Sequence, residues 1–201
     1  HWQLKQEKDM GLNTPKPYRD FEERVYRHRE NLKGLINALV KDGKKIIGYR
    51  EALVLPNLPK TMVVVGSGAI GVEFAYFYAT MGTKVTIVEF MPNIVPVEDE
   101  EVSKQLEKSF KKIGIEVMTE ASVESVDTKG TACKVNVKTK TGNVTLDADI
   151  VLSAVGIEAN ITGLGLEEVG IKTDKGKIVT DKFYATNVPG YYAIGDCVCG
   201  Q

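Results

Sequence analysis

Cysteine and histidine are scarce in this sequence, which has 3 cysteines and 2 histidines among 201 residues. Cys133, Cys197 and Cys199 form an odd set without the spacing of a disulfide framework, and His1 and His28 lie far apart. A disulfide-stabilised secreted fold and a metal site are therefore not expected. This cysteine usage favours a reducing environment, and we expect a cytoplasmic protein.

An excess of one charge is also lacking, as is a long apolar run. The 26 basic and 27 acidic residues give a net charge of −1, which favours neither a nucleic acid nor a membrane as partner. No apolar run approaches the roughly 20 residues that span a bilayer, and the polar start HWQLKQEKDM does not predict a signal peptide. The composition, 43% hydrophobic and 26% charged, is that of an ordinary globular protein.

The most informative stretch is KTMVVVGSGAIGVEFAYFYATMGTKVTIVE, residues 60–89. The apolar, β-branched run 62–65 predicts a buried strand, residues 72–81 predict a helix, and residues 84–88 predict a second buried strand. Glycines in the spacing G-x-G-x-x-G separate the first strand from the helix. The sequence therefore predicts a β-α-β unit in the order that a dinucleotide site needs.

Each glycine of the G-x-G-x-x-G pattern has a physical role in such a site. Gly66 permits the tight turn, Gly68 lets a pyrophosphate approach the backbone, and Gly71 lets helix and strand pack closely. Glu89 follows the second strand, near the usual spacing of about 20 residues, where a carboxylate accepts hydrogen bonds from the adenosine ribose. That carboxylate would repel the extra phosphate of NADP, so NAD is predicted. The alternative is a glycine-rich turn in another kind of α/β protein.

The rest of the chain predicts further regular elements. Alternation of apolar and polar residues over 121–146 predicts an antiparallel three-stranded meander. Residues 149–155 predict a buried strand that ends at Gly156, where either a ligand approach or a simple turn fits the glycine. The other expected elements are an amphipathic helix at 20–40, a helix that begins with acidic residues and ends before Gly114, a parallel strand at 115–119, and short strands at 177–180 and 191–194.

Four segments in fixed order resemble the flavoprotein disulfide reductases: VVVGSGAIGVEFA, VTIVEFMPNIVPVEDEEVSKQL, SAVG and PGYYAIGD. The likeness is close from Lys44 onward and looser over residues 17–42. It implies an α/β fold, with a Rossmann-like NAD-binding domain that has a parallel sheet and an antiparallel three-stranded meander, plus remnants of an FAD-binding domain. The expected division is a partial FAD-domain segment, the NAD-binding domain and a return segment to the FAD domain, at residues 1–52, 53–157 and 158–201.

The resemblance also implies a role for individual residues. Glu89 matches the adenosine-ribose acid, Val123 a position beside the adenine, and Gly156 one that backs the NAD. Glu73 would lie where the nicotinamide meets the flavin, although a capping acid in the first helical turn is the alternative. Asp196 matches the carboxylate that holds a ribityl hydroxyl of FAD. The nicotinamide-nucleotide loop is matched by Gly66, Ser67, Gly68, Ala69, Ile70, Gly71, Val72 and Glu73.

The sequence departs from the family at its redox centre. The family carries a Cys-x4-Cys redox pair in its FAD domain and a proton-relay histidine in a C-terminal dimerisation domain, and neither feature is found here. Cys197 and Cys199 stand too close together to be that pair. No catalytic residue is assigned, and we expect a fragment centred on the NAD-binding domain, inactive alone.

The function implied for the intact protein is electron transfer from dihydrolipoamide through a redox disulfide and FAD to NAD⁺. The implied partner is the lipoyl domain of a 2-oxoacid dehydrogenase or glycine cleavage complex, and the implied assembly is a homodimer. A second hypothesis is an NADH oxidase, a peroxidase or a thioredoxin-reductase-like enzyme. A third is a stand-alone nucleotide-binding or interaction module.

Overall fold

The computed structural model describes residues 39–156 and 158–199. It divides the chain into two compact units, the first ending at Val155 and the second beginning at Gly156. The predicted helix at 20–40 and both histidines lie outside the described residues, apart from the last two positions of that helix.

The first unit is built on a five-stranded sheet in which all neighbouring strands are parallel, in the order β1 (Ile46–Ile47), β8 (Ile150–Ser153), β2 (Thr61–Val65), β3 (Lys84–Val88) and β4 (Glu116–Met118). Its apolar strands are buried on both faces, as expected for a parallel sheet. The elements of this unit are β1 (Ile46–Ile47), α1 (Tyr49–Ala52), β2 (Thr61–Val65), α2 (Ala69–Thr80), β3 (Lys84–Val88), α3 (Glu100–Lys112), β4 (Glu116–Met118), β5 (Ser122–Asp127), β6 (Cys133–Thr139), β7 (Gly142–Ala148) and β8 (Ile150–Ser153).

Two different layers cover the two faces of this sheet. On one face, residues such as Val64 and Leu152 pack with Ala75 and Tyr78 of α2 and with Phe110 of α3. The opposite face packs against the meander, and the core there includes Val63, Val65 and Val151 of the sheet with Val135 and Val137 of β6. The alternation of strand side chains between the faces therefore supplies both cores.

The three-stranded meander β5-β6-β7 is antiparallel throughout, and this confirms the prediction from the period of two. In β6 the apolar residues are buried and the intervening lysines are exposed. Cys133 is completely buried in this layer, and its burial raises the pKa of the thiol. Its place in the core agrees with its position on the apolar phase of the strand.

The second unit contains a short antiparallel hairpin, β9 (Thr173–Asp174) and β10 (Lys177–Ile178). The strand predicted at 177–180 is thus present over two residues. The strand predicted at 191–194 is wrong, because within the described residues this segment makes a single bridge, between Tyr192 and Ala185. Gly190 and Gly195 flank the segment with φ of 85° each, so the backbone turns away at both ends before a ladder can extend.

Strand β1 connects the start of the described chain to the sheet. Ile46 and Ile47 pair with Val151 and Leu152 of β8, so the sheet includes residues before position 53. The domain limits given above remain predictions. None of the helices in the described ranges combines the length and apolar character needed to cross a bilayer.

Candidate functional site

The glycine-rich turn follows β2 directly and leads into α2 without a gap. Gly66 has φ of 96°, a left-handed conformation that favours glycine, and its N–H donates to the carbonyl of Val88 at 2.9 Å. A Cβ on Gly66 would lie 2.6 Å from the carbonyl oxygen of Ala154, at the end of β8. The turn therefore passes tightly between the carboxyl ends of β3 and β8.

The other two glycines have opposite surroundings. A Cβ on Gly71 would lie 2.1 Å from the carbonyl oxygen of Gly66, so the absence of a side chain lets α2 begin beside the turn. Around Gly68, by contrast, a Cβ would meet no protein atom within 4 Å, and both Gly68 and Ala69 are exposed. Gly68, which is predicted to face a pyrophosphate, thus borders open space. At Gly71, which is predicted for close packing, backbone atoms occupy the place of a side chain.

The amino end of α2 is open to an anion. Gly68 is the N-cap residue and supplies no side-chain cap to the helix. No acidic residue lies in the first turn, and Glu73 is exposed one position beyond it. The first N–H groups of a helix and its dipole favour negative charge, so this end can receive phosphate oxygens.

Glu89 lies next to the turn, because β2 and β3 are adjacent and Val65 pairs with Val88. The whole residue is only 4% exposed. Oε2 accepts hydrogen bonds from the backbone N–H of Ser67 at 2.8 Å and from the Ser67 hydroxyl at 2.6 Å, and Oε1 accepts from the N–H of Met91 at 2.8 Å. The acid and the glycine-rich turn are therefore directly joined.

The remaining predicted residues lie in different places. Ile70 is half-buried and Val72 is buried on α2. Val123 lies in β5, and the whole residue is only 2% exposed. Gly156 and Asp196 belong to the second unit, where both are exposed and Gly156 has φ of 144°.

Two residues of the site were missed by sequence reasoning. Met91 donates its backbone N–H to Glu89, and Val95 donates its backbone N–H to the carbonyl of Ser67 at 3.0 Å. Both act through the main chain, which leaves no residue-type signal. The prolines at 92 and 96 predict a loop here, but they do not reveal that the loop folds back onto the glycine-rich turn.

Metal ligands are not gathered at this site. Across the part of the chain that the structure describes, no group of three or more His, Cys, Asp or Glu side chains is placed to hold a metal ion.

A glycine-rich turn and an acid at the ends of adjacent parallel strands are typical of dinucleotide-binding α/β proteins. The chain also matches the protein family described as "Pyridine nucleotide-disulphide oxidoreductase" over residues 25–201. The chain belongs to this family, and the predicted α/β class with a parallel sheet and an antiparallel three-stranded meander is confirmed.

Individual members of the family are similar to this chain over most of its length. It is 49% identical to the dihydrolipoyl dehydrogenase of Rhizobium etli over 156 residues, which are 77% of this chain and 32% of that protein. It is also 49% identical to the dihydrolipoyl dehydrogenase of Chlorobaculum tepidum over 164 residues, covering 81% of this chain and 35% of that protein. The chain thus spans about one third of the length of these relatives.

Solved structures of other proteins are also similar to this chain. The crystal structure of LpdA from Mycobacterium tuberculosis has a TM-score of 0.72 and 34% identity, covering 81% of this chain and 35% of that one. The HOCl-induced flavoprotein disulfide reductase RclA from Escherichia coli has a TM-score of 0.68 and 28% identity, covering 77% of this chain and 35% of that one. The resemblance to flavoprotein disulfide reductases is therefore confirmed.

Proposed function

We propose that this chain is the NAD-binding part of a dihydrolipoamide dehydrogenase. The complete reaction oxidises dihydrolipoamide through a redox disulfide and FAD and reduces NAD⁺. Relatives at 43–49% identity that carry the name dihydrolipoyl dehydrogenase support this choice within the family. Because the chain spans about a third of those relatives, the activity is a proposal for the whole protein.

The observation that carries the proposal is the direct link between the acid and the glycine-rich turn. The open space at Gly68 and the uncapped start of α2 fit a diphosphate. Among the described residues, Glu89 Oε1 accepts a single hydrogen bond, and a carboxylate oxygen has room for a second, so this atom can accept from a ribose hydroxyl. The residues present therefore fit the adenosine diphosphate half of NAD.

The task of the protein residues is to bind and orient the nucleotide. The family uses FAD as well as a pyridine nucleotide, and when bound these cofactors supply the hydride chemistry. The turn at Gly66–Gly71 would hold the phosphates, and Glu89 would fix the ribose. The expected roles of Val123 beside the adenine, Gly156 behind the NAD, Glu73 toward the nicotinamide and Asp196 toward FAD belong to this proposal.

Calorimetry with NADH and NADPH tests the proposal. NADH should bind at least about tenfold more tightly than NADPH, because a 2′-phosphate would meet the buried carboxylate of Glu89. Equal or tighter binding of NADPH would contradict the choice of NAD. Failure of both nucleotides to bind would refute the proposed site.

Gly68→Ala gives this test a matched variant. The new Cβ would meet no protein atom within 4 Å, so the main cost is that alanine is a poorer N-cap than glycine, and the melting temperature should fall by less than about 4 °C. The same Cβ would occupy the approach of the diphosphate, and the Kd for NADH should rise at least about tenfold. Unchanged NADH affinity in this variant would contradict phosphate binding at the turn.

A second candidate within the family is a different NADH-dependent reductase, such as an NADH oxidase or peroxidase. The structural likeness to the flavoprotein disulfide reductase RclA favours keeping it. Assaying the intact protein with dihydrolipoamide, oxygen and peroxide as alternative substrates separates the two. The lipoyl-domain partner, the homodimer and the cytoplasmic location are proposals that follow from the first candidate.

A further inference from the structure

We propose that Ser67 is a positioning residue that sets the preference for NADH over NADPH by holding Glu89 in place. This inference rests on the proposed function, since it concerns how the same site selects its nucleotide. Ser67 stands at a variable position of the G-x-G-x-x-G pattern, where the pattern itself assigns no chemistry.

The burial of Ser67 leaves its side chain no direct contact with a ligand. Its side chain is completely buried, whereas the neighbouring Gly68 and Ala69 are exposed. Its hydroxyl donates to Glu89 Oε2 at 2.6 Å, a short distance typical of a hydrogen bond to a charged acceptor. The hydroxyl therefore acts on Glu89, and the nucleotide would meet Ser67 through that carboxylate.

The two oxygens of Glu89 consequently have different roles. Oε2 accepts from both the N–H and the hydroxyl of Ser67, which uses its two main acceptor directions. Oε1 accepts from the N–H of Met91 and keeps acceptor capacity for a ribose hydroxyl. Because three donors fix the carboxylate, it cannot rotate away when a larger or charged group approaches.

The main chain of Ser67 is fixed as well. Its carbonyl accepts from the N–H of Val95, a residue with φ of 41° that is 8% exposed. A β-branched residue in this left-handed region is strained, and such a conformation persists only when its surroundings hold it. Ser67 is thus hydrogen-bonded through its N–H and hydroxyl to Glu89, which follows β3, and through its carbonyl to Val95 in the next loop.

A Glu89 carboxylate that is held in place favours NADH over NADPH. A carboxylate held in place repels the 2′-phosphate of NADPH and still accepts from the hydroxyl of NADH. Without the hydroxyl of Ser67, Oε2 loses one of its donors and the carboxylate gains freedom to move. Binding of NADH should weaken, and binding of NADPH should weaken less or improve.

Calorimetric titration of Ser67→Ala with NADH and NADPH tests the inference. The Kd for NADH should rise about fivefold, and the ratio of the NADPH Kd to the NADH Kd should fall about fivefold, as expected for partial loss of a charge-assisted hydrogen bond. In a Glu89→Gln background, adding Ser67→Ala should leave that ratio unchanged, because the two residues act as one unit.

Thr83→Val is the matched control. Thr83 is 4% exposed and its hydroxyl donates to the carbonyl of Pro59 at 2.7 Å, at the opposite end of β3 from Glu89. This variant also loses a buried hydroxyl, but its nucleotide ratio should equal that of the wild type. If Ser67→Ala lacks a cooperative melting transition, Ser67→Gly is titrated instead and judged by the same ratio.

The possible outcomes separate this inference from the proposed function. A wild type that binds neither nucleotide refutes the proposed function and this inference with it. A second outcome is that the wild type prefers NADH while Ser67→Ala keeps a ratio of NADPH Kd to NADH Kd within twofold of the wild-type ratio. That outcome refutes the role of Ser67 and leaves the proposed function standing. An equal loss of affinity for both nucleotides also refutes the role of Ser67 in selectivity, since it indicates a merely structural role.

Discussion

Gly68 and Gly71 lie within four residues of each other, yet the structure leaves room for a side chain at one and not at the other. Gly71 is in the first turn of α2, where alanine usually stabilises a helix by about 0.5–1 kcal/mol. A Cβ there would lie 2.1 Å from the carbonyl oxygen of Gly66, so α2 or the turn must move. At this residue, steric exclusion therefore outweighs helix propensity.

Gly71→Ala should consequently destabilise the protein. We expect a loss of about 2 kcal/mol or more in the free energy of unfolding, in the range found for overpacked sites, together with weaker NADH binding. Denaturant unfolding followed by circular dichroism measures the change, with Gly68→Ala as the control that should remain within about 1 kcal/mol of the wild type, the cost of alanine at the N-cap. A Gly71→Ala variant as stable as the wild type would show that the close approach is not required.

The candidate site was predictable at those residues whose type carries the chemistry. Few other residue types can take the place of glycine in a tight turn or of an acid that binds a ribose. The spacing of these residues therefore indicated the turn and the position of Glu89 beside it. The bond from Ser67 to Glu89 was not predictable, because serine is acceptable at a variable position for many reasons. The contacts of Met91 and Val95 are made by the main chain, which every residue type shares.

At the scale of elements, strands were predicted well where a continuous apolar run or an alternation of apolar and polar residues marks them, and poorly where neither does. The strands predicted at 62–65 and 84–88 correspond to β2 and β3. These predictions succeeded because a continuous apolar run is typical of a strand that is buried on both faces of a parallel sheet. The helix predicted at 72–81 begins earlier, at Ala69, since the glycine-rich turn itself enters the helix. The strand expected at 191–194 failed because the pairing of an exposed segment depends on a partner that local sequence does not specify.

Asp42 organises the turn that enters β1. Its Oδ1 accepts the N–H groups of Lys44, Lys45 and Ile46 at 2.8, 2.7 and 2.9 Å. Burial alone would raise the pKa of Asp42, but these backbone donors favour the charged carboxylate more strongly, so its pKa lies below the ordinary value of 3.8. A lowered pKa in the folded state means that the charged carboxylate stabilises the fold above about pH 4.

Asp42→Ala should therefore have a pH-dependent effect. We expect it to cost about 1 kcal/mol at pH 7, less than three full hydrogen bonds because Asp42 is exposed. The difference from the wild type should shrink as the pH falls below about 4 and through the lowered pKa. Urea unfolding between pH 3 and pH 7 measures it.

Asp127→Ala provides the control for this pH dependence. Asp127 is also exposed, at the end of β5, but its Oδ1 accepts one backbone N–H, from Lys129 at 3.0 Å. Its replacement should cost less at pH 7 than the replacement of Asp42. A loss in Asp42→Ala that stays constant from pH 7 to pH 3 would contradict the role of the charged carboxylate.

At the scale of the whole molecule, the cysteines decide whether the chain can carry out the reaction of its relatives. Cys133 is completely buried, and burial raises the pKa of its thiol, so it stays protonated and shielded. Cys197 and Cys199 are half-buried, and their thiols donate to the carbonyls of Ile194 and Asp174 at 3.2 and 3.6 Å. None of the three matches the Cys-x4-Cys pair that the resemblance requires.

The chain should therefore bind NADH without producing it from dihydrolipoamide. With dihydrolipoamide, NAD⁺ and excess FAD, we expect no increase in absorbance at the NADH wavelength, whereas the dihydrolipoyl dehydrogenase of Rhizobium etli assayed alongside should give a clear rate. A rate from this chain would contradict the expectation, and its loss in a Cys197→Ser, Cys199→Ser double variant would assign redox chemistry to those thiols. Retention of NADH binding by that double variant would show that nucleotide binding and dithiol oxidation use different residues, as expected if the nucleotide is held at Gly68 and Glu89 as proposed.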